Sequence, residues 1–329
     1  MIEYINKKRV LFITTKNLDY IRNTQEIALL KEHALSYDVI GSCHRSYPFR
    51  LFKVYLQLLM THVSQYDTVM IGFAPQLVLP LWYWKVKKAD IVIDFFISMY
   101  DTLCCDRKKV EADGLMGRLL HGVDAFTLRK ADVIICDTKA HGHYFCEEFQ
   151  AEREKLVTVY LQADSSVYYP RVVRKPDYLE NKYVVLYFGS VLPLQGVEVV
   201  LKSMELLKNK EGLHFFFIGP ISDKSLLAIR PVSDNIEYFT WLSQEKLAEY
   251  IAMSDLCLAG HFNASIPKAH RTIPGKAYIY HAMGKPMILG DNPANHELFD
   301  GDNKVSFVEM GNEIALANEI IRFLTSNDN

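Results

Sequence analysis

Short apolar runs alternate with amphipathic segments along the whole chain, and this alternation constrains the fold more than any other feature. In the first half the runs are Arg9–Thr14, Asp38–Gly41, Thr68–Gly72, Asp90–Asp94 and Asp132–Cys136. Helical periodicity fills the gaps near Arg22–His33, Phe49–Val63, Leu77–Lys87, Leu115–Arg129 and His141–Phe149. The second half repeats the theme with runs at Val184–Gly189, His214–Gly219, Ile236–Phe239, Asp255–Gly260 and Pro286–Gly290. Its helices fall near Val197–Lys208, Ser243–Ala252, Pro274–Met283 and Glu313–Leu324. Strands apolar on both faces, separated by helices, predict an α/β chain with parallel sheets covered on each side.

The polar stretch Ala163–Lys182 carries Pro170 and Pro176, has neither period, and reads as a linker. A length of 329 residues accommodates two doubly wound domains, with ligands expected at the carboxyl ends of their strands. Half the residues are apolar and 23% are charged, which excludes disordered, collagen-like and coiled-coil chains. A net charge of −2 gives no footing for bulk nucleic-acid binding. None of the six cysteines forms a CxxC pair, so a reducing cytoplasm is expected. The N-terminus has Glu3 early and reads as a lead-in to a strand, not a signal peptide. The longest uncharged stretch, Thr68–Trp84, contains Pro75 and Pro80 and is short for a span of about 20 residues.

Chemistry concentrates in His261–Phe299. Pro274 suits a first helical position, which puts Lys276 in the first turn, with Lys268 and Arg271 just upstream. A cation there opposes the helix dipole, so it asks for an anionic partner. Free amides with Lys268, Arg271 and Lys276 make a site suited to phosphate, the plain alternative being a solvated basic loop. In Val184–Lys208 a buried strand ends at Gly189, and Gly196 opens an amphipathic helix close to any ligand. That arrangement is also common as architecture alone. No GxGxxG or GxxxxGK[ST] follows a strand, which speaks against a dinucleotide dehydrogenase or a P-loop NTPase. His141 and His143 lack a third ligand nearby, and no DxD stands in a suitable loop, so no metal site is expected.

FGSVLPLQG (Phe188–Gly196) and PKAHRTIPGKAYIYHAMGKP (Pro267–Pro286) resemble the carboxy-terminal domain of retaining GT-B glycosyltransferases of family four. That family typically reads FxGR-x-x-x-x-KG and EAMAxGxPVV at these places, and a bacterial subgroup reads roughly PKAxRVIPNKVYxALAMGKP. The resemblance spans about residues 183–299. DFFISMYDT (Asp94–Thr102) and ADVIICDT (Ala131–Thr138) extend it into the first half. It implies an acceptor-binding domain over 1–165 and a nucleotide-sugar domain over 166–310. A last helix over 311–329 would pack back on the first domain, as last helices do in this fold. It further implies transfer with retention from a nucleotide-diphosphate sugar to a saccharide or lipid-linked acceptor, without metal or cofactor. Donor contacts would come from Gly189, Ser190, Gln195, Gly196, Lys268, Arg271 and Lys276, with Trp241 flanking the base or simply packing at the surface. The family's diphosphate-binding Arg and Lys fall on Ser190 and Gln195, and its two glutamates fall on Arg271 and Ile279. The usual histidine after the fourth strand has no match. Asp94 or Asp101 lies in that region instead and would face the acceptor, Asp94 being equally suited to capping the strand end.

Two other readings stay open. One is an inactive GT-B subunit that binds a partner transferase or a nucleotide sugar. The other is a GT-B epimerase or phosphorylase. Finally, Tyr47–Leu59 and Leu81–Lys88 mix aromatic and basic residues on amphipathic helices. Such faces suit the inner surface of the cell membrane or a lipid-linked acceptor, or else a core face with snorkelling cations.

Overall fold

The computed structural model describes residues 1–326. The chain divides into two compact units between Gln162 and Ala163, three residues before the expected boundary.

The first unit is one parallel sheet in the order β2-β1-β3-β4-β5-β6. Its strands are β1 (Arg9–Ile13), β2 (Ser36–Ile40), β3 (Thr68–Ile71), β4 (Asp90–Asp94), β5 (Val133–Cys136) and β6 (Leu156–Thr158). Its helices are α1 (Ile2–Ile5), α2 (Ile21–His33), α3 (Tyr47–Met60), α4 (Leu79–Val86), α5 (Leu115–Lys130) and α6 (Lys139–Phe149). Alternation along each strand explains why the runs are apolar throughout. Leu11, Ile13, Val69, Ile71, Ile91 and Ile93 pack under α3, α4, α5 and α6 through Val54, Leu58, Val86, Leu128 and Phe145. The intervening Val10, Phe12, Met70 and Val92 pack under Ile5 of α1 and Leu30 of α2. Each such side chain contributes about 1.5–3 kcal/mol on burial.

The second unit is a parallel sheet in the order β12-β11-β10-β7-β8-β9. Its strands are β7 (Tyr183–Phe188), β8 (Leu213–Ile218), β9 (Ile236–Phe239), β10 (Leu256–Gly260), β11 (Met287–Gly290) and β12 (Val305–Val308). Its helices are α7 (Val197–Leu207), α8 (Lys224–Ala228), α9 (Gln244–Met253), α10 (Gly275–Ala282), α11 (Pro293–Phe299) and α12 (Glu313–Ser326). α12 lies along α7 and buries Leu316, Ala317 and Ile320 in this unit's core with Val185, Phe215 and Leu258.

All ten expected strands form, with ends shifted by at most two residues. The edge strands β6 and β12 are additions. Three and four residues long, with Thr158 and Ser306 among them, they carry little apolar signal. Pro274 is extended, with ψ at 133°, and caps α10 instead of opening it. Its fixed φ fits both positions, so spacing alone cannot separate them.

Candidate functional site

A doubly wound sheet binds ligands where its strand order reverses. In the second unit that point lies between β7 and β10, so the loops leading into α7 and α10 frame it.

After β7 the backbone turns at Gly189, whose φ of +148° disfavours a side chain. A Cβ there would stand 3.2 Å from the Lys276 Nζ. A short turn over Pro193–Gln195 follows, and Gly196 caps α7 in the left-handed region, with φ at +65°. A Cβ on Gly196 would fall 2.6 Å from the Phe262 carbonyl carbon. Only glycine therefore lets the loops after β7 and β10 close on each other. Phe262 N donates to Gln195 O at 3.2 Å, and Asn263 Nδ2 donates to Pro193 O at 2.8 Å.

Beneath these loops lie polar groups without partners. Lys276, the second residue of α10, is buried, and its ammonium has no hydrogen-bond acceptor. Its nearest stabilising contact is the face of Tyr187, with Nζ 3.9 Å from the ring centroid. Burial holds the amine well below its usual basicity. His261, the first residue after β10, is buried with Nδ1 unpartnered. Burial first, and then the charges of Lys276, Lys268 and His270, push its pKa down to about 3. Tyr187 Oη and Gln195 Oε1 are likewise buried and unpartnered. Native interiors rarely leave such groups unmatched, because each costs about 1–3 kcal/mol. Here a cationic group, an imidazole, a phenol and an amide gather at one switch point.

The other expected donor residues are arranged around this cradle. Lys268 lies half-buried in the turn Pro267–His270, and Arg271 follows it, half-buried, ahead of α10. Ser190 is exposed in the loop after Gly189. Trp241, after β9, is 73% exposed, which leaves its ring available for stacking and gives it no role in the core.

In the first unit Asp94 ends β4 and is buried. It accepts from Arg22 Nε at 2.7 Å and from Nη2 at 2.9 Å, while Arg22 Nη1 donates to Val159 O at 2.6 Å. The neighbouring Glu26 is held well above the usual carboxylate range, by burial first and by the charge of Asp94 second. Asp101 is buried in a π-helical turn, Asp101–Asp106, with its amide donating to Ser98 Oγ at 2.9 Å. Neither aspartate faces solvent. Asp137, just after β5, is partly exposed and holds the buried His141 through Nδ1 at 2.7 Å. Among the described residues no three His, Cys, Asp or Glu side chains are grouped to hold a metal ion.

The sequence singled out Lys276 but missed its burial, because a lysine beside a helix start reads as solvated. His261 and Tyr187 carried a weak signal, as polar side chains within or directly after apolar strands. Arg22 and Glu26 sit on α2, 72 and 68 residues from Asp94, and nothing local announces their partner.

Residues 182–326 match the family described as glycosyl transferases group 1. No curated protein matches the chain. Among solved structures, HepE from Anabaena in complex with UDP aligns with a TM-score of 0.67 at 13% identity, over 97% of this chain and 90% of that one. Sucrose-phosphate synthase from Thermosynechococcus elongatus aligns with a TM-score of 0.68 at 13% identity, over 98% and 90%. The lipopolysaccharide outer core galactosyltransferase WaaB aligns with a TM-score of 0.59 at 13% identity, over 98% and 91%. The expected α/β GT-B fold is thereby established, and the family-four resemblance stands on the second unit.

Proposed function

We propose that the chain is a glycosyltransferase that binds a nucleotide-diphosphate sugar on its second unit and passes the sugar to a saccharide or lipid-linked acceptor bound by its first. The observation that carries this is Lys276, a buried amine with no acceptor or counter-charge, at the reversal of strand order and the start of a helix. A diphosphate supplies what the cradle lacks. Its negative charge meets Lys276 and the amides of α7 and α10, and its oxygens accept from the Tyr187 hydroxyl and from His261 Nδ1–H. Lys268 and Arg271 add positive charge at the rim, which relocates the family's clamp from the positions now held by Ser190 and Gln195. HepE, of the same fold, is described in complex with UDP and with UDP-glucose, which supports a uridine donor.

The chemistry follows from where charge develops. The bond from the anomeric carbon to the diphosphate breaks, and negative charge grows on the leaving group. Preorganised cations and amides at that point are worth about 3 kcal/mol per well-placed donor. These residues supply that charge without a metal ion, so we assign metal-independent transfer, with retention following from the family-four resemblance. Asp94 is bonded to Arg22 and Asp101 is buried, so we assign the proton transfer to neither. The expected setting is cytoplasmic, where nucleotide sugars are available.

An inactive donor-binding subunit is the second reading, favoured by Ser190 and Gln195 in place of charged residues. One experiment separates the two. Calorimetry with UDP, GDP and their sugars tests binding, and release of nucleotide with and without EDTA tests turnover. Binding with EDTA-resistant turnover supports the transferase, and binding alone supports the inactive subunit. Silence across the panel from folded protein would remove both readings. Arg271→Ala and Lys276→Met should each weaken donor binding, while Lys108→Ala should not.

A further inference from the structure

From the exposed faces of three neighbouring helices we infer that the first unit docks on an anionic lipid surface. The inference is independent of the donor site.

α3, α4 and α5 cover the same face of the first sheet. Tyr55 and Trp82 join α3 to α4 with ring centroids 5.9 Å apart, and Tyr83 and Phe126 join α4 to α5 at 6.0 Å. Their inward residues form the core described above. Their outward faces are apolar as well. α3 exposes Phe49, Phe52, Leu56, Leu59 and Met60, and the first four recur at intervals of three and four residues as one stripe. α4 exposes Leu81 and Trp84, and α5 exposes Leu115, Met116 and Leu119. Among the described residues 22 large apolar side chains are exposed, and these three helices hold ten of them. The concentration makes this a patch rather than the scattered exposure found on any protein. A shallow apolar groove beside Pro80, Leu119 and Phe126 continues it between α4 and α5.

Charge decides the occupant. Between Val39 and Ala89 the sequence holds a single acidic residue, Asp67, which is bonded to Arg9. Lys53, Lys87, Lys88 and Arg118 are exposed beside the apolar residues. Glu111 and Asp113 precede α5, and Asp124 within it is buried. Exposed aromatic and aliphatic side chains rimmed by cations match the headgroup region of an anionic bilayer. The rings enter the boundary while the lysines meet phosphates. No described helix is long and apolar enough to cross a membrane, so the contact is peripheral.

The test is sedimentation of the full chain with vesicles of phosphatidylglycerol and phosphatidylcholine, and with phosphatidylcholine alone. The chain should pellet with the anionic vesicles and be released by salt. The Phe52→Glu, Trp84→Glu double variant should lower the partition coefficient at least tenfold. Lys53→Gln with Lys88→Gln should lower it about fivefold for each lysine removed. Circular dichroism and donor binding unchanged from the parent confirm that the variants fold. Failure of the folded parent to pellet, or equal pelleting by both variants, overturns the proposal. Equal binding to phosphatidylcholine alone overturns the anionic surface. Self-association of the parent that the double variant abolishes would make the patch a contact between copies instead.

Discussion

The two units share an architecture and differ in whether the buried cation near the strand-order reversal has a counter-charge. Each is a six-stranded parallel sheet, but the first reverses its order between β1 and β3 and the second between β7 and β10. At the first reversal several groups are paired, although Asn17 Oδ1 and Gln76 Oε1, in the loops after β1 and β3, are buried without a partner. Thr15 Oγ1 donates to Phe73 O at 2.9 Å and meets Tyr47 Oη at 3.1 Å, and Lys16 lies over the rings of Tyr20 and Phe73. Beside it the buried guanidinium of Arg22 is neutralised by Asp94. At the second reversal Lys276, His261, Tyr187 and Gln195 hold buried polar atoms with no partner. A buried cation held by a carboxylate fixes a fold, whereas one without a counter-charge raises the energy of the empty state and leaves that energy for an anion to offset. That uncompensated cation is why we propose the second unit as the donor-binding one.

The largest expected effects set the two networks against each other on stability. Arg22→Met leaves the buried Asp94 without its guanidinium, beside Glu26, and should destabilise the first unit by about 3–5 kcal/mol. Urea unfolding should show its transition moving to lower denaturant. Lys276→Met has the opposite sign, because it removes a buried amine with no partner. It should leave the empty protein at least as stable as the parent while weakening donor binding by about 1.5–3 kcal/mol, roughly ten- to a hundredfold. Were Lys276→Met to unfold the second unit, the lysine would be structural and the contrast would fail.

The contrast is only half legible in the sequence. The strands and helices could be read because each apolar run is buried on both faces, and the glycines at 189 and 196 could be read because backbone approach excludes a side chain. Charge pairing could not. Asp94 looks the same whether it caps a strand or faces a substrate, and its fate is decided by Arg22 on a distant helix. The basic residues Lys268, Arg271 and Lys276 read as one cluster, yet the helix start places Lys276 alone inside, against Tyr187. The exposed stripe on α3 illustrates the same limit. Periodicity shows that a face is apolar but not which side of the sheet it meets.

Protons provide the next test, and the signs oppose again. Glu26 binds its proton more tightly when folded than when unfolded. Its contribution is fully present below the unfolded value of about 4.5 and is lost as pH rises through the raised folded value. His261 binds its proton less tightly when folded, with a pKa near 3 against 6.5 when unfolded. The unfolded chain therefore holds more protons between those values, and stability rises with pH across that window. One proton changes stability by at most about 1.4 kcal/mol per pH unit. Glu26→Gln should remove the loss at higher pH, and His261→Asn should remove the gain between about 3 and 6.5. Unfolding midpoints measured across pH in the two variants check both slopes. A parallel response in the two would mean that the units do not differ as described.

The smallest expected effect asks how far the second unit's site extends beyond the diphosphate cradle. Trp241 is exposed in the loop after β9, so its ring supports no core and Trp241→Ala should leave stability within about 0.5 kcal/mol. If the donor's base stacks on it, the loss should be about 0.5–1.5 kcal/mol of binding, or roughly two- to tenfold in Kd. The whole of that loss should appear in KM, with kcat retained, because a base remote from the breaking bond is held equally in the ground and transition states. Trp241→Phe should restore most of it, since a ring face is what the base needs, and free diphosphate should bind parent and variant alike. The comparison between a nucleoside diphosphate and inorganic diphosphate thus assigns the loss to the base alone. An unchanged Kd for the nucleotide in Trp241→Ala would confine the site to the loops after β7 and β10. The unpartnered cluster around Lys276 would then account for donor binding without help from β9.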